Sequence, residues 1–206
     1  VERLRTTTDP AIRAWILRQG YKNSIMYEYL AYIAATTGGL LDALRDASPD
    51  REVLTAAGDI LEALVVGGPA EDMADYEQGA DAVEAYLGQM TSRAETLADF
   101  QSVSTIAMFL ERDDGWDELA GLGWTATRRE AFERACERIL ADEAWAPRVY
   151  AGLDSDDGAT YWRAEQAARR LGLDIFDIQV ARIRRDPLGR GWFTAWQGAA
   201  DVRAAY

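Results

Sequence analysis

The chain has no histidine, one cysteine and one lysine among its 206 residues. Without histidine, neither a Ser-His-Asp triad nor a Cys-His pair can form, and a di-iron bundle built on Glu-x-x-His motifs is excluded as well. The single cysteine, Cys136, cannot close an internal disulfide or provide a multiple-cysteine zinc site. It lies among apolar residues of a predicted helix, which favours a buried thiol and fits a reducing cytoplasm.

Long apolar runs and positive charge are also scarce. No apolar run reaches the roughly 20 residues of a membrane-spanning helix, and no signal peptide is visible at Val1, so we expect a cytoplasmic protein without a membrane partner. The formal net charge of −13 argues against binding to nucleic acid, whose phosphates need lysine and arginine. An acidic surface keeps a protein soluble, and it can also attract a basic protein partner.

Strand patterns and phosphate-binding loops are absent too. No segment alternates apolar and polar residues with a period of two, as a half-buried strand would. Gly67-Gly68 lacks the Lys-Ser/Thr that would follow in a phosphate loop, so we expect no nucleotide cofactor and no other cofactor.

What the sequence does contain is apolar residues spaced by three and four, which predicts about nine or ten helices. Predicted helix starts include capping boxes at Ser92-x-x-Glu95 and Thr127-x-x-Glu130, and Gly67-Gly68-Pro69 is a predicted break. A last helix is predicted over Trp192–Ala205. The length suits one core, so we predict a single all-α domain over residues 1–206.

The clearest unit is residues 155–187, which contain two predicted helices joined by a very short link. Ser155 is the predicted N-cap of the first helix, and Gly172 supplies its left-handed stop. Asp174 is the predicted cap of the second. The predicted buried faces are Tyr161, Ala164, Ala168 and Leu171 in the first helix, and Ile175, Phe176, Ile178 and Ile183 in the second.

One segment of this unit, Ala164-x-x-Ala167-Ala168-x-x-Leu171-Gly172, resembles the inner helix of a HEAT-like α-helical repeat. The resemblance covers about one repeat, and it implies stacked antiparallel helix pairs that bind a partner on one face. An irregular helical bundle is the alternative architecture for the same helices.

A second resemblance concerns metal binding. Asp113-Asp114-x-x-Asp117 follows an apolar helix and is similar to the aspartate-rich motif of all-α isoprenoid synthases, whose carboxylates hold magnesium ions. The chain is much shorter than such enzymes and has no second metal motif, and a solvated acidic loop gives the same pattern.

Aromatic residues beside helix breaks are the remaining signal. Tryptophan and tyrosine are enriched where protein partners anchor, although the same residues can fill gaps between packed helices. The candidate binding residues are Trp116, Trp124, Tyr27, Tyr32, Asp154, Asp156 and Asp157.

The sequence therefore predicts a non-enzymatic protein-binding module with an acidic, aromatic-anchored surface, which a basic protein partner would complement. An immunity or antitoxin protein that neutralises a basic toxin is one example of this class. The alternative is a magnesium-dependent enzyme or small-molecule binder that acts on a phosphate or diphosphate through Asp113, Asp114 and Asp117.

Overall fold

In a computed structural model of the protein, the described residues are 41–46, 49–67, 79–111, 116 and 120–185, with side chains omitted at 63–67. These residues contain seven α-helices and one short 3-10 helix, and none of them lies in a strand, which confirms the all-α prediction. The helices are α1 (Arg51–Gly67), α2 (Gly79–Arg93), α3 (Leu97–Leu110), α4 (Ala126–Leu140), α5 (Trp145–Leu153), α6 (Gly158–Arg170) and α7 (Phe176–Arg185), and the 3-10 helix is Ala120–Leu122.

The chain divides into two compact units, Val1–Ala141 and Asp142–Tyr206. The first contains α1 to α4, and the second contains α5 to α7. The assignment of all 206 residues to one domain stays a prediction. The predicted helix over Trp192–Ala205 lies outside the described residues.

In the first unit, α1 and α4 each pack against both α2 and α3. Apolar residues spaced by three and four along each helix form the core between them, as the sequence predicts. The break predicted at Gly67 is also the last residue of α1. The core residues include Val53, Leu54, Ala57, Leu61, Val83, Tyr86, Leu87, Phe100, Ile106, Leu110, Phe132, Cys136, Ile139 and Leu140.

Both predicted capping boxes are misplaced. Ser92 lies in the last turn of α2, and the cap of α3 is Thr96, which forms a capping box with Asp99 rather than with a glutamate. The cap of α4 is Thr125, whose side chain accepts a hydrogen bond from the Arg128 amide. Serine and threonine residues lie close together near the start of each helix, so more than one of them could be the N-cap. The Ser/Thr-x-x-Glu pattern identifies the wrong residue in both cases.

In the second unit, α6 packs mainly against α5, the helix that precedes it. The α6 face that contains Ala164, Ala167 and Ala168 is buried, and a link as short as the one before α7 would place α6 beside the following helix, whereas the main contact of α6 is with the preceding one. Buried residues of this pair are Trp145, Val149, Leu153, Tyr161, Ala164, Ala167 and Ala168.

The ends of α6 are partly as predicted. Gly172 has φ +65°, and the Leu173 and Gly172 amides donate to the carbonyls of Ala168 and Arg169, at 2.9 and 3.2 Å. This pair of bonds is a Schellman motif and confirms the predicted stop. The N-cap is Asp157 and not Ser155, whose hydroxyl accepts from the Asp157 amide.

The predicted buried faces are wrong at four positions. Leu171 at the C-cap of α6 and Ile178 in α7 are only half-buried. Phe176 and Ile183 are 47% and 39% exposed. In α7 it is Val180 and Arg182 that are buried.

Candidate protein-binding surface

The outward side of α1 is a narrow acidic strip. From Glu52 to Glu62 only four side chains reach the surface, Glu52, Thr55, Asp59 and Glu62, and all other residues in this span are buried. Their spacing by three and four places them on one side of the helix. We call these four residues the acidic edge.

The acidic edge is part of a long stretch without positive charge. Residues 52–92 contain nine acidic residues and no lysine or arginine. The first unit as a whole has 25 acidic and 13 basic residues, whereas the second has 10 and 9. The first unit therefore carries almost all of the net charge. This uneven distribution of charge can be read from the sequence, but the net charge of the whole chain does not show it.

Acids on α2 and α4 are engaged by arginines. Arg128 donates to Asp81 and Glu84, and Arg45 donates to the other oxygen of Asp81 at 3.2 Å. On α4, Arg129 pairs with Glu133 at 3.1 Å. The Arg128 pairs join α4 to α2, whereas the Arg129–Glu133 pair lies within α4, and all of these pairs reduce the negative field of the acids involved.

An ion pair between the partly exposed Arg51 and the buried Asp99 holds the start of α1 against the turn between α2 and α3. Asp99 is 1% exposed, and its Oδ2 accepts hydrogen bonds from Arg51 and from the amides of Glu95 and Thr96. Arg51 also donates to the Arg93 carbonyl at 3.0 Å. Asp99 Oδ1 is buried without a hydrogen-bond partner. This contact fixes the first turn of the helix that carries the acidic edge.

Behind the acidic edge, side chains of α2 and α3 pack directly against Gly58 of α1. The Tyr86 side chain is buried and hydrogen-bonded to Ser102. Burial raises the pKa of Tyr86 above its usual range, and the charge of Asp99 raises it further. A Cβ atom at Gly58 would lie 2.6 Å from the Tyr86 hydroxyl oxygen and 2.7 Å from Ser102 Oγ. Any side chain at this position would force Tyr86 or Ser102 to move.

Trp116 and Trp124 lie together in an aromatic cluster of the first unit. Their ring centroids are 5.9 Å apart, and both rings contact Phe109, at 5.3 and 5.5 Å. Trp124 is 1% exposed, so it is a core residue and its assignment as a surface anchor is wrong. Trp116 is half-buried, with the Arg129 guanidinium 4.5 Å from its ring centroid, and it remains a candidate anchor.

Asp154, Asp156 and Asp157 lie in the link between α5 and α6 and are exposed. Asp157 caps α6, and its hydrogen bonds from Thr160 lower the pKa of its carboxyl group. Asp154 pairs with Arg185 at 3.8 Å. The structure brings these three aspartates together. They lie in the second unit, however, where the numbers of acidic residues and arginines are nearly equal, so that unit has little net charge.

The other candidates fall outside the described residues, namely Tyr27, Tyr32, Asp113, Asp114 and Asp117. Among the residues that are described, no three histidine, cysteine, aspartate or glutamate side chains are grouped so that they could hold a metal ion. No helix in the described ranges is both long and apolar enough to cross a membrane.

The chain matches no protein-family model, no curated protein and no solved structure. The HEAT-like resemblance therefore stays a prediction.

Proposed function

We propose that this protein is a non-enzymatic, cytoplasmic protein-binding module that uses the acidic edge of α1 to hold a basic protein partner. The observation that carries the proposal is the acidic edge itself, within 41 residues that lack any positive charge. An array of like charges on one side of a well-packed helix attracts a basic surface and speeds its association. Neutralisation of a basic toxin, as by an immunity protein, is one role of this kind.

Two features of the first unit support a binding role for this surface. The α1 helix is packed against two other helices, and its first turn is fixed by the Arg51–Asp99 pair, so its carboxylates are held on a rigid element. Glu62 is further oriented by a hydrogen bond from Gln101 on α3. A surface that is organised before binding loses less conformational entropy when a partner arrives. Trp116 provides a half-buried aromatic anchor elsewhere in the same unit. A stack of HEAT-like helix pairs would be a suitable rigid scaffold for these binding residues.

Charge removal at two places on the first unit tests this proposal. One variant combines Glu52→Gln, Asp59→Asn and Glu62→Gln, and the control combines Glu130→Gln, Glu133→Gln and Glu137→Gln on α4. Both variants lose three negative charges. With three ion pairs lost at roughly 0.2–1 kcal/mol each, we expect the first variant to bind a fluorescent nonaarginine peptide about tenfold more weakly.

The control variant should bind that peptide within about twofold of wild type, because Glu130 and Glu133 already pair with Arg134 and Arg129 on α4, and Glu137 lies between Arg134 and Arg138 on the same helix. Fluorescence anisotropy measures both affinities, and circular dichroism confirms that both variants fold. Equal weakening in the two variants would mean that the peptide responds only to net charge, and would contradict the proposal.

The alternative function is magnesium-dependent chemistry on a phosphate or diphosphate through Asp113, Asp114 and Asp117. A metal that binds only the folded state raises the melting temperature. We expect magnesium chloride to have no effect beyond that of sodium chloride at matched ionic strength, in wild type and in Asp114→Asn alike. A magnesium-specific rise that is lost in Asp114→Asn, and that calcium does not reproduce, would replace the binding proposal with this one.

A further inference from the structure

The α7 helix buries little apolar surface. Val180 and the preceding Ile175 are its buried apolar residues among those described, at 7% and 8% exposure, while Phe176 and Ile183 are exposed. The α5–α6 pair differs, because Trp145, Val149 and Ala164 are at most 1% exposed. Burial of apolar surface is the main favourable contribution to docking a helix, so α7 is held less strongly than its neighbours.

Polar contacts supply much of the remaining attachment of α7. Arg182 donates to the Leu153 carbonyl at 2.9 Å, at the C-terminal end of α5, and its guanidinium carbon lies 4.1 Å from the Tyr161 ring centroid. Gln179 donates to the buried carboxylate of Glu165 at 3.0 Å. Burial of Tyr161, together with the charge of Glu165, raises the pKa of this tyrosine to about 12.

These polar contacts can be exchanged for water at small net cost. An intramolecular hydrogen bond contributes only about 0.5–1.5 kcal/mol, because the separated groups bond to water instead. Burial of Arg182 carries a desolvation cost, which is also why the pKa of its guanidinium is lowered. Moving α7 away returns Arg182 and Gln179 to water, while Glu165 keeps its ion pair with Arg169 of α6 at 2.9 Å, and the α5–α6 contacts stay in place.

We infer that α7 opens as a separate unit, with Arg182 as its main attachment, while α5 and α6 stay folded. Such local opening is expected where few apolar contacts hold an element. When α7 moves away, it uncovers the Tyr161 ring face, the Glu165 carboxylate and the Leu153 carbonyl, and so presents groups that are buried in the closed form. This inference does not depend on the proposed partner of the first unit.

Hydrogen exchange of the full-length protein, followed by mass spectrometry, tests this inference. We expect amides of residues 180–185 to exchange about tenfold faster than amides of residues 162–170 in wild type. Arg182→Met should accelerate exchange of 180–185 by about a further tenfold and leave 162–170 within about twofold of wild type.

Arg185→Met is the matched control, because it removes the same charged group from the same helix at a position whose side chain is 63% exposed. Its 3.8 Å ion pair with Asp154 lies at the surface and contributes little to the attachment of α7, so both sets of amides should stay within about twofold of wild type. Equal exchange of the two sets in wild type would overturn the inference. So would an Arg182→Met variant that accelerates both sets equally, because α5, α6 and α7 would then open together.

Discussion

Replacing Arg51 with methionine should lower the free energy of unfolding by about 1–3 kcal/mol, the cost of leaving a buried polar group without its partner, because Asp99 is buried although Arg51 is partly exposed. The substitution leaves Asp99 as a buried carboxylate that has lost its cation, and one of its oxygens already has no hydrogen-bond partner. Urea denaturation followed by circular dichroism measures the loss.

A second substitution separates charge from packing. Adding Asp99→Asn to Arg51→Met should recover much of the stability, because an amide oxygen still accepts from the Glu95 and Thr96 amides without burying a charge. Arg45→Met is the control, since Arg45 pairs with Asp81 at the surface and should contribute at most about 1 kcal/mol. If Arg51→Met and Arg45→Met cost the same, the Arg51–Asp99 pair does not fix α1 as described.

Gly58→Ala should destabilise the protein by about 1–3 kcal/mol, or more, despite the higher helix propensity of alanine. The added methyl group would overlap the Tyr86 hydroxyl and Ser102 Oγ, and all three residues are buried where α1, α2 and α3 meet. The midpoint of urea denaturation, compared with wild type at an unchanged slope, measures this change.

Two further variants make the Gly58 result specific. Tyr86→Phe removes one of the two overlapping oxygens, so Gly58→Ala should cost less in a Tyr86→Phe background than in wild type. Gly88→Ala, on the exposed side of α2 with no atom within 4 Å of the new methyl group, should stabilise by up to about 1 kcal/mol. Destabilisation by Gly88→Ala of similar size would point to a general intolerance of alanine and not to the overlap at Gly58.

Much of the helical pattern could be predicted from the sequence, because helix periodicity and glycine stops are local signals. The buried face of α4, with Phe132, Cys136 and Ile139, follows from spacing alone. The stop at Gly172 follows from the need for a left-handed residue after α6. These features depend on residues within a few positions of one another.

What could not be predicted depends on contacts between distant residues. Asp99 completes the α3 cap while it pairs with Arg51, which lies 48 positions earlier. Arg182 of α7 is buried because its guanidinium packs on the Tyr161 ring and donates a hydrogen bond to the Leu153 carbonyl. From sequence alone, an arginine is expected to be exposed to solvent. The α7 helix is oriented so that Arg182 faces Tyr161, and the same orientation leaves Phe176 and Ile183 exposed.

The candidate surface shows the same division. Counting acids along the chain identifies residues 52–92, and spacing places Glu52, Asp59 and Glu62 on one side of a helix, but the fold shows that this side faces outward and that every other residue from 52 to 62 except Thr55 is buried. The reverse holds for Trp124, which lies beside a helix start in the sequence and in the core of the structure. Position next to a break does not determine exposure, since a link can fold back over the helices that it joins.

The most direct test of the acidic edge as the binding surface is carboxylate footprinting of wild-type protein with and without the nonaarginine peptide. Glycine ethyl ester labelling, read by mass spectrometry, reports the accessibility of each acid. The proposal predicts that labelling of Glu52, Asp59 and Glu62 falls on binding, while labelling of Glu130 and Glu137 on α4 is unchanged. An equal fall at all of these positions, or a fall confined to Asp154, Asp156 and Asp157, would contradict it.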